Sequence, residues 1–243
     1  MNVTSHPPHC ALIVAHGQPS DPAPAEAELA LLATAVAALL PGWTVTSATL
    51  ADEGALVRSV TGTVGIVYPM FMAGGWFTTR HLPDRLATVG AGGWQILAPF
   101  GLDPAVQALT VQIAREAFYG QDLSYAEVLL AAHGSFRSPA PAEVAYEMVR
   151  QLQLAGLSQV EAGFIDQSPK IVDIAGRFGR NAVCLPFFAA RGGHVLDDLP
   201  TALAEAGFSG RLLSPVGLDP RVPGLIAQAL QAAVDHPTFA APN

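Results

Sequence analysis

The feature that most constrains this chain is that it carries its own pattern twice. His16-Gly17 and His133-Gly134 stand 117 residues apart, as do Pro69 and Pro186, and Pro83 and Pro200. Gly101-Leu102-Asp103-Pro104 returns as Gly217-Leu218-Asp219-Pro220 at a distance of 116. Independent chance matches would not hold one register over that length, and the period is too long for a solenoid repeat. The duplication predicts two domain-sized copies, 1–120 and 121–243, joined near 119–124. A chain of 243 residues has room for both.

Each copy alternates strand and helix. In the first, apolar or alternating runs at 10–15, 43–50, 63–69 and 94–99 read as strands. Alanine- and leucine-rich stretches at 24–40 and 103–118, and a segment through residue 86, read as helices. In the second, strands are expected at 127–132, 159–165, 182–186 and 211–214, with helices at 141–155 and from 219 to about 234. Such alternation implies an α/β fold of two similar three-layer domains, each a four-stranded parallel sheet covered by helices on both faces. A 2-1-3-4 strand order would set the ends of the first and third strands side by side, where open α/β sheets bind ligands.

Composition narrows the setting. The chain is 51% hydrophobic, which suits packed α/β layers rather than disorder. No apolar run is expected to reach the roughly 18–20 residues of a membrane span. The polar, proline-bearing stretch 1–9 does not read as a signal peptide. Cys10 and Cys184 fit neither a metal motif nor a disulfide framework and read as buried free thiols. A cytoplasmic setting follows as the expectation, with no membrane partner. The net charge of −8 and the lack of a basic patch argue against nucleic acid.

The candidate chemistry lies in the second copy. There Leu185-Pro186-Phe187-Phe188 runs into Arg191-Gly192-Gly193-His194, a strand-to-helix junction. His133 follows the first strand of the same copy and His194 the third. Two neutral imidazoles on adjacent loops make half of a site for Zn, Fe, Co or Ni. Asp166, closing the second strand, is the candidate third ligand. Asp197 and Asp198 sit in the first turn of a helix, where the dipole alone favours negative charge. Arg137 and Arg191 lie within a few residues of the histidines and suit carboxylate recognition, with Lys170 and Arg80 as further cations.

These residues carry a resemblance. Ala131-Ala132-His133-Gly134-Ser135, Gly193-His194-Val195 with Asp198-Leu199-Pro200, and Ser214-Pro215-Val216-Gly217-Leu218-Asp219 resemble the sirohydrochlorin chelatase family, the CbiX-like class II chelatases of cobalamin and siroheme synthesis. The resemblance covers essentially the whole chain, once per copy. It implies two chelatase-like (flavodoxin-like) domains facing each other across a cleft. It implies insertion of Co²⁺ or Fe²⁺ into a tetrapyrrole, with no organic cofactor and the metal as substrate, by a monomer or homodimer. By carry-over, His133 and His194 bind the metal and assist pyrrole deprotonation. Ser135, Arg137, Arg191, Gly192 and Gly193 would contact the carboxylate-rich substrate.

The first copy departs from the pattern. Gln18 replaces the serine, Phe77 stands where the second copy has His194, Trp76 where it has Gly193, and His81 where it has Asp198. Trp76 and Phe77 could wall a flat macrocycle, or serve as core or dimer-contact aromatics. His16 and His81 are secondary candidates. The expectation is therefore a metal chelatase whose site lies in the second copy. The alternative is a relative that carries a tetrapyrrole or metal without metallating. A hydrolase or phosphatase is disfavoured, because Ser135 lacks a Gly-x-Ser-x-Gly elbow and neither His-Gly pair follows an arginine.

Overall fold

The computed structural model describes residues 9–236. The stretch 1–8, most of the polar segment discussed above, lies outside the described residues. In chain order the strands are β1 (His9–Ala15), β2 (Trp43–Thr49), β3 (Ile66–Pro69), β4 (Gln95–Ile96), β5 (Glu127–Ala132), β6 (Gln159–Phe164), β7 (Val183–Pro186) and β8 (Arg211–Leu212). The α-helices are α1 (Pro22–Leu39), α2 (Ala55–Ser59), α3 (Leu82–Thr88), α4 (Pro104–Ala117), α5 (Ala140–Leu154), α6 (Ile171–Ile174), α7 (Leu199–Glu205) and α8 (Val222–Asp235).

The strands form two four-stranded sheets, ordered β2-β1-β3-β4 and β6-β5-β7-β8. Every pairing is parallel. The α/β class and the 2-1-3-4 order inferred from the sequence are what the structure has. Central strands must be apolar on both faces, and β1 and β5 are: Leu12, Ile13 and Val14, and Leu129, Leu130 and Ala131, are wholly buried. The edge strands β4 and β8 are shorter than the runs 94–99 and 211–214 suggested. Leu97 and Leu213 still donate to Val67 O and Cys184 O. Pro99 and Pro215 follow, with no N–H to continue a ladder. The short helices α2 and α6 are not evident in the periodicity.

The chain forms two compact units. Among the described residues one comprises 9–70, Trp76–Ala98 and 221–236; the other comprises Phe71–Gly75 and Pro99–Pro220. They differ from the halves 1–120 and 121–243 by an exchange of last helices, α8 packing with α1 and β3 and α4 with α5, and by Phe71–Gly75, which belongs to the second unit. The repeated Gly-Leu-Asp-Pro explains why the chain can turn there. Gly101 N–H donates to Phe71 O and Gly217 N–H to Phe188 O. A Cβ at these glycines would stand 2.0 Å from Met72 O and 1.9 Å from Ala189 O. Only glycine permits so close an approach of two backbones.

One expectation is corrected. Helix α1 is long and apolar enough, by length and composition, to cross a membrane. Its alanines raise the hydropathy, and Glu26 and Glu28 are its two charges. In the structure Leu29, Ala33 and Val36 are buried, and Glu26 Oε1 accepts from Thr49 N–H at 2.7 Å, which ties the helix to the end of β2.

Candidate metal-transfer site

In the second unit, β5 delivers His133 and β7 leads through a glycine loop to His194. The two strands are neighbours, so their carboxyl ends are adjacent. After Ala132 the chain turns at Gly134, whose φ of 72° is a left-handed value. A Cβ there would meet Gln167 Cγ at 2.6 Å. Gln167 Oε1 accepts from Ser135 N–H at 2.8 Å, and Asp166 N–H donates to His133 O at 2.9 Å. The His133 loop is thus clamped to the end of β6. Gln167 carries no signal in the sequence, because its role depends on which strand lies beside β5.

His194 opens a π-helical turn, His194–Asp198, in which Leu199 N–H donates back to His194 O. Such turns recur at functional sites. The first unit has the same turn at Phe77–His81, with Leu82 N–H on Phe77 O. The turn therefore belongs to the duplicated frame, and the side chains on it vary.

The rings of His133 and His194 lie 4.3 Å apart, centroid to centroid, at 86°. Their hydrogen bonds define which nitrogens are free. His133 Nδ1 is 2.8 Å from Gly134 O, and His194 Nδ1 is 2.7 Å from Asp198 Oδ2. A carbonyl and a carboxylate can only accept, so in each neutral ring Nδ1 carries the proton and Nε2 the lone pair. Two nitrogens bound to one ion at about 2.0–2.1 Å stand roughly 3 Å apart, which the ring separation permits.

Asp166 Oδ2 lies 3.6 Å from His133 Nδ1, the nitrogen that already bears a proton. The structure thus brings Asp166 to the site but not as the third member of a closed ligand cage: among the described residues no group of three or more His, Cys, Asp or Glu side chains converges on one point. Asp198, given only a helix-dipole role by the sequence, makes no cap hydrogen bond to α7 and faces His194 instead. Ser135 Oγ accepts from Arg137 N–H at 3.1 Å, a local turn bond. Arg137 and Arg191 are exposed, and neither makes an ion pair among the described residues. Arg80, by contrast, pairs with Asp84 at 3.3 Å.

Gly192 and Gly193 are required by neither backbone angle nor packing. A Cβ at Gly192 would touch nothing within 4 Å, and one at Gly193 only Asp197 Oδ2 at 3.8 Å. What they leave is open surface beside His194. Sequence reasoning also passed over two exposed apolar side chains next to the histidines in sequence, Phe136 (77%) and Leu196 (57%).

The first unit holds the altered copy of the same arrangement. His16 and Phe77 lie 4.5 Å apart, the counterpart of the histidine pair. His81 stacks on Trp76 at 4.7 Å and 20°. Ala51, which donates to His16 O as Asp166 does to His133 O, takes the place of Asp166. Trp76 is 61% exposed and Phe77 37%, so neither is a core residue.

The two parallel sheets and the strand-end histidine pair define the class as that of the chelatases. The comparisons agree. The CbiX family model matches residues 127–233, the segment that carries both histidines. The solved structure of CbiX, described as the terminal enzyme for biosynthesis of siroheme in denitrifying bacteria, is 46% identical; the match covers 93% of this chain and 99% of that one, with a TM-score of 0.84. The chain belongs to the CbiX family. SirB from Bacillus subtilis with Fe³⁺ has the same fold at 17% identity, over 93% of this chain and 97% of that one, with a TM-score of 0.73. So has the sirohydrochlorin chelatase SirB from Bacillus subtilis subspecies spizizenii in complex with cobalt, at 17% identity over 94% and 96%, with a TM-score of 0.68. No curated protein sequence matches.

Proposed function

We propose that the chain is a chelatase that inserts a divalent metal, Co²⁺ or Fe²⁺, into sirohydrochlorin or a related tetrapyrrole, and that His133 and His194 hold the incoming ion. The observation that carries this reading is the imidazole pair, 4.3 Å apart, with both Nδ1 atoms committed to acceptors. Two Nε2 lone pairs are a small ligand set. A resident structural metal usually has four ligands, and a catalytic one three from the protein. A pair retains the ion loosely enough to pass it on. Imidazole binds both Co²⁺ and Fe²⁺, so the choice between them rests on supply as much as on ligands.

Metallation removes two pyrrole N–H protons as one M²⁺ enters the ring. A neutral imidazole can take such a proton on Nε2 once the metal has left that nitrogen. Asp166, beside His133, adds negative charge that favours a cation there. The unpaired guanidinium groups of Arg137 and Arg191 suit the peripheral carboxylates, while Phe136 and the open surface at Gly192 and Gly193 suit the flat apolar ring. In the first unit Trp76 and Phe77 form an aromatic surface of the kind a macrocycle face contacts, and the Phe77 ring lies against that of His16.

The test is an anaerobic insertion assay with sirohydrochlorin and Co²⁺ or Fe²⁺, followed by absorbance. Wild-type protein is expected to accelerate insertion, and His133→Ala and His194→Ala each to lose at least about 100-fold, in the range of a lost general base. Tight binding of the tetrapyrrole with no acceleration of either metal would overturn the reading in favour of a carrier.

A further inference from the structure

We infer that Asp198 is the positioning residue of the metal-transfer site: its carboxylate locks His194 in the tautomer that presents Nε2 to the ion. The inference rests on the function proposed above and deepens it. His194 Nδ1 and Asp198 Oδ2 are 2.7 Å apart, the length of a charge-assisted hydrogen bond. A carboxylate has no proton to give, so the ring must supply the one on Nδ1. The lone pair then resides on Nε2, and the ring's plane is held by the same bond. A carboxylate behind a metal-binding imidazole also makes the far nitrogen a better donor.

Two observations separate this role from the ordinary use of an aspartate at a helix start. The first is that Asp198 precedes α7 without making any side-chain cap bond. The second is the internal duplicate. The π-helical turn forms equally well in the first unit, where position 81 is a histidine and not an acid. The carboxylate is therefore not needed for the backbone. It is present where the turn carries His194 and absent where the turn carries Phe77, so imidazole and carboxylate occur as a pair. His133 needs no such partner, because Gly134 O performs the same office for its Nδ1.

The experiment uses the full chain. Long-range ¹⁵N–¹H NMR of histidine-labelled, metal-free protein reads the tautomer of His194, and titration with Co²⁺ alone reads metal affinity without any turnover. In the wild type His194 is expected to carry its proton on Nδ1. In Asp198→Ala it should become a mixture of tautomers, with Co²⁺ affinity about 10–100-fold weaker. In the insertion assay the KM for metal should rise by a similar factor, while the KM for sirohydrochlorin stays within about twofold. Asp198→Glu, which restores a carboxylate, should recover part of the Co²⁺ affinity. A wild-type tautomer and wild-type Co²⁺ affinity in Asp198→Ala would overturn the inference. His194→Ala distinguishes the levels: if it too binds Co²⁺ as wild type does, the proposed site has failed, and if it alone loses affinity, only the role of Asp198 has.

Discussion

The matched substitutions Gly134→Ala and Gly17→Ala separate architecture from chemistry, because the two glycines are copies in the same frame. Their φ values are 72° and 74°. A side chain in the left-handed region costs about 1–2 kcal/mol. At Gly134 the new Cβ would stand 2.6 Å from Gln167 Cγ. Gln167 can swing away, but Ser135 N–H then loses its acceptor, a further cost of about 1 kcal/mol. The total is roughly 2–3 kcal/mol, which lowers Tm by about 4–12 °C for a chain of this size. At Gly17 the Cβ would stand 2.6 Å from Thr49 Cβ and 2.9 Å from Ala51 Cβ. Those are rigid neighbours, so the loss of stability should be at least as large.

The effects on insertion should diverge. Relieving the clash at Gly134 shifts the His133 loop, and a displacement near 1 Å in a reacting constellation costs about 100-fold. Gly17→Ala, assayed well below its Tm, should remain within a few-fold of wild type, because the ring beside His16 at the position matching His194 is that of Phe77. Circular dichroism melts and the anaerobic insertion assay measure the two quantities. Equal activity losses in the two variants would refute the placement of the site in the second unit. An unchanged Tm in Gly134→Ala would refute the strain argument.

Two further outcomes follow from single groups. Cys184 is wholly buried, and burial pushes its thiol up, far from the range in which a reactive thiolate forms. A thiol reagent should leave Cys184 unmodified in the native protein and modify it in denaturant; rapid native labelling at that position, read by peptide mass, would contradict the packing around β7. On α5, the hydrogen bond from Arg150, with a second from Gln151, lowers the Glu147 carboxyl from its ordinary 4.5 to about 2. The folded value is the depressed one, so the contribution of this pair is fully present above about pH 4.5 and is lost as pH falls towards 2. Arg150→Ala should return the Glu147 midpoint, followed by ¹³C NMR, towards 4.5; no movement would refute the assignment of the cause.

Much of the site was legible in the sequence because the frame is periodic. The His-Gly pair after a first strand and the Gly-His pair after a third can be located without coordinates, and the strand order then brings them together. Asp198 was visible but its use was not. An acid at that position serves a helix dipole or an imidazole four residues back equally well as far as spacing can tell, and only the bond at 2.7 Å distinguishes them. Asp166 was read as a ligand because it ends the strand beside β5; the structure sets its oxygen near the protonated Nδ1 of His133. Gln167 and Phe136 belong to no pattern at all.

By itself, then, the sequence determined the duplication, the alternation of strand and helix, the parallel sheets and the pair of histidines. These follow from periodicity, from prolines and glycines in fixed register, and from apolar runs that must be buried on both faces. The tertiary structure alone decided the rest. It set which unit each last helix packs against, since α4 and α8 are amphipathic and their sequences do not name a partner surface. It also settled which nitrogen of each imidazole is free, because that depends on the acceptor that folding places behind the ring.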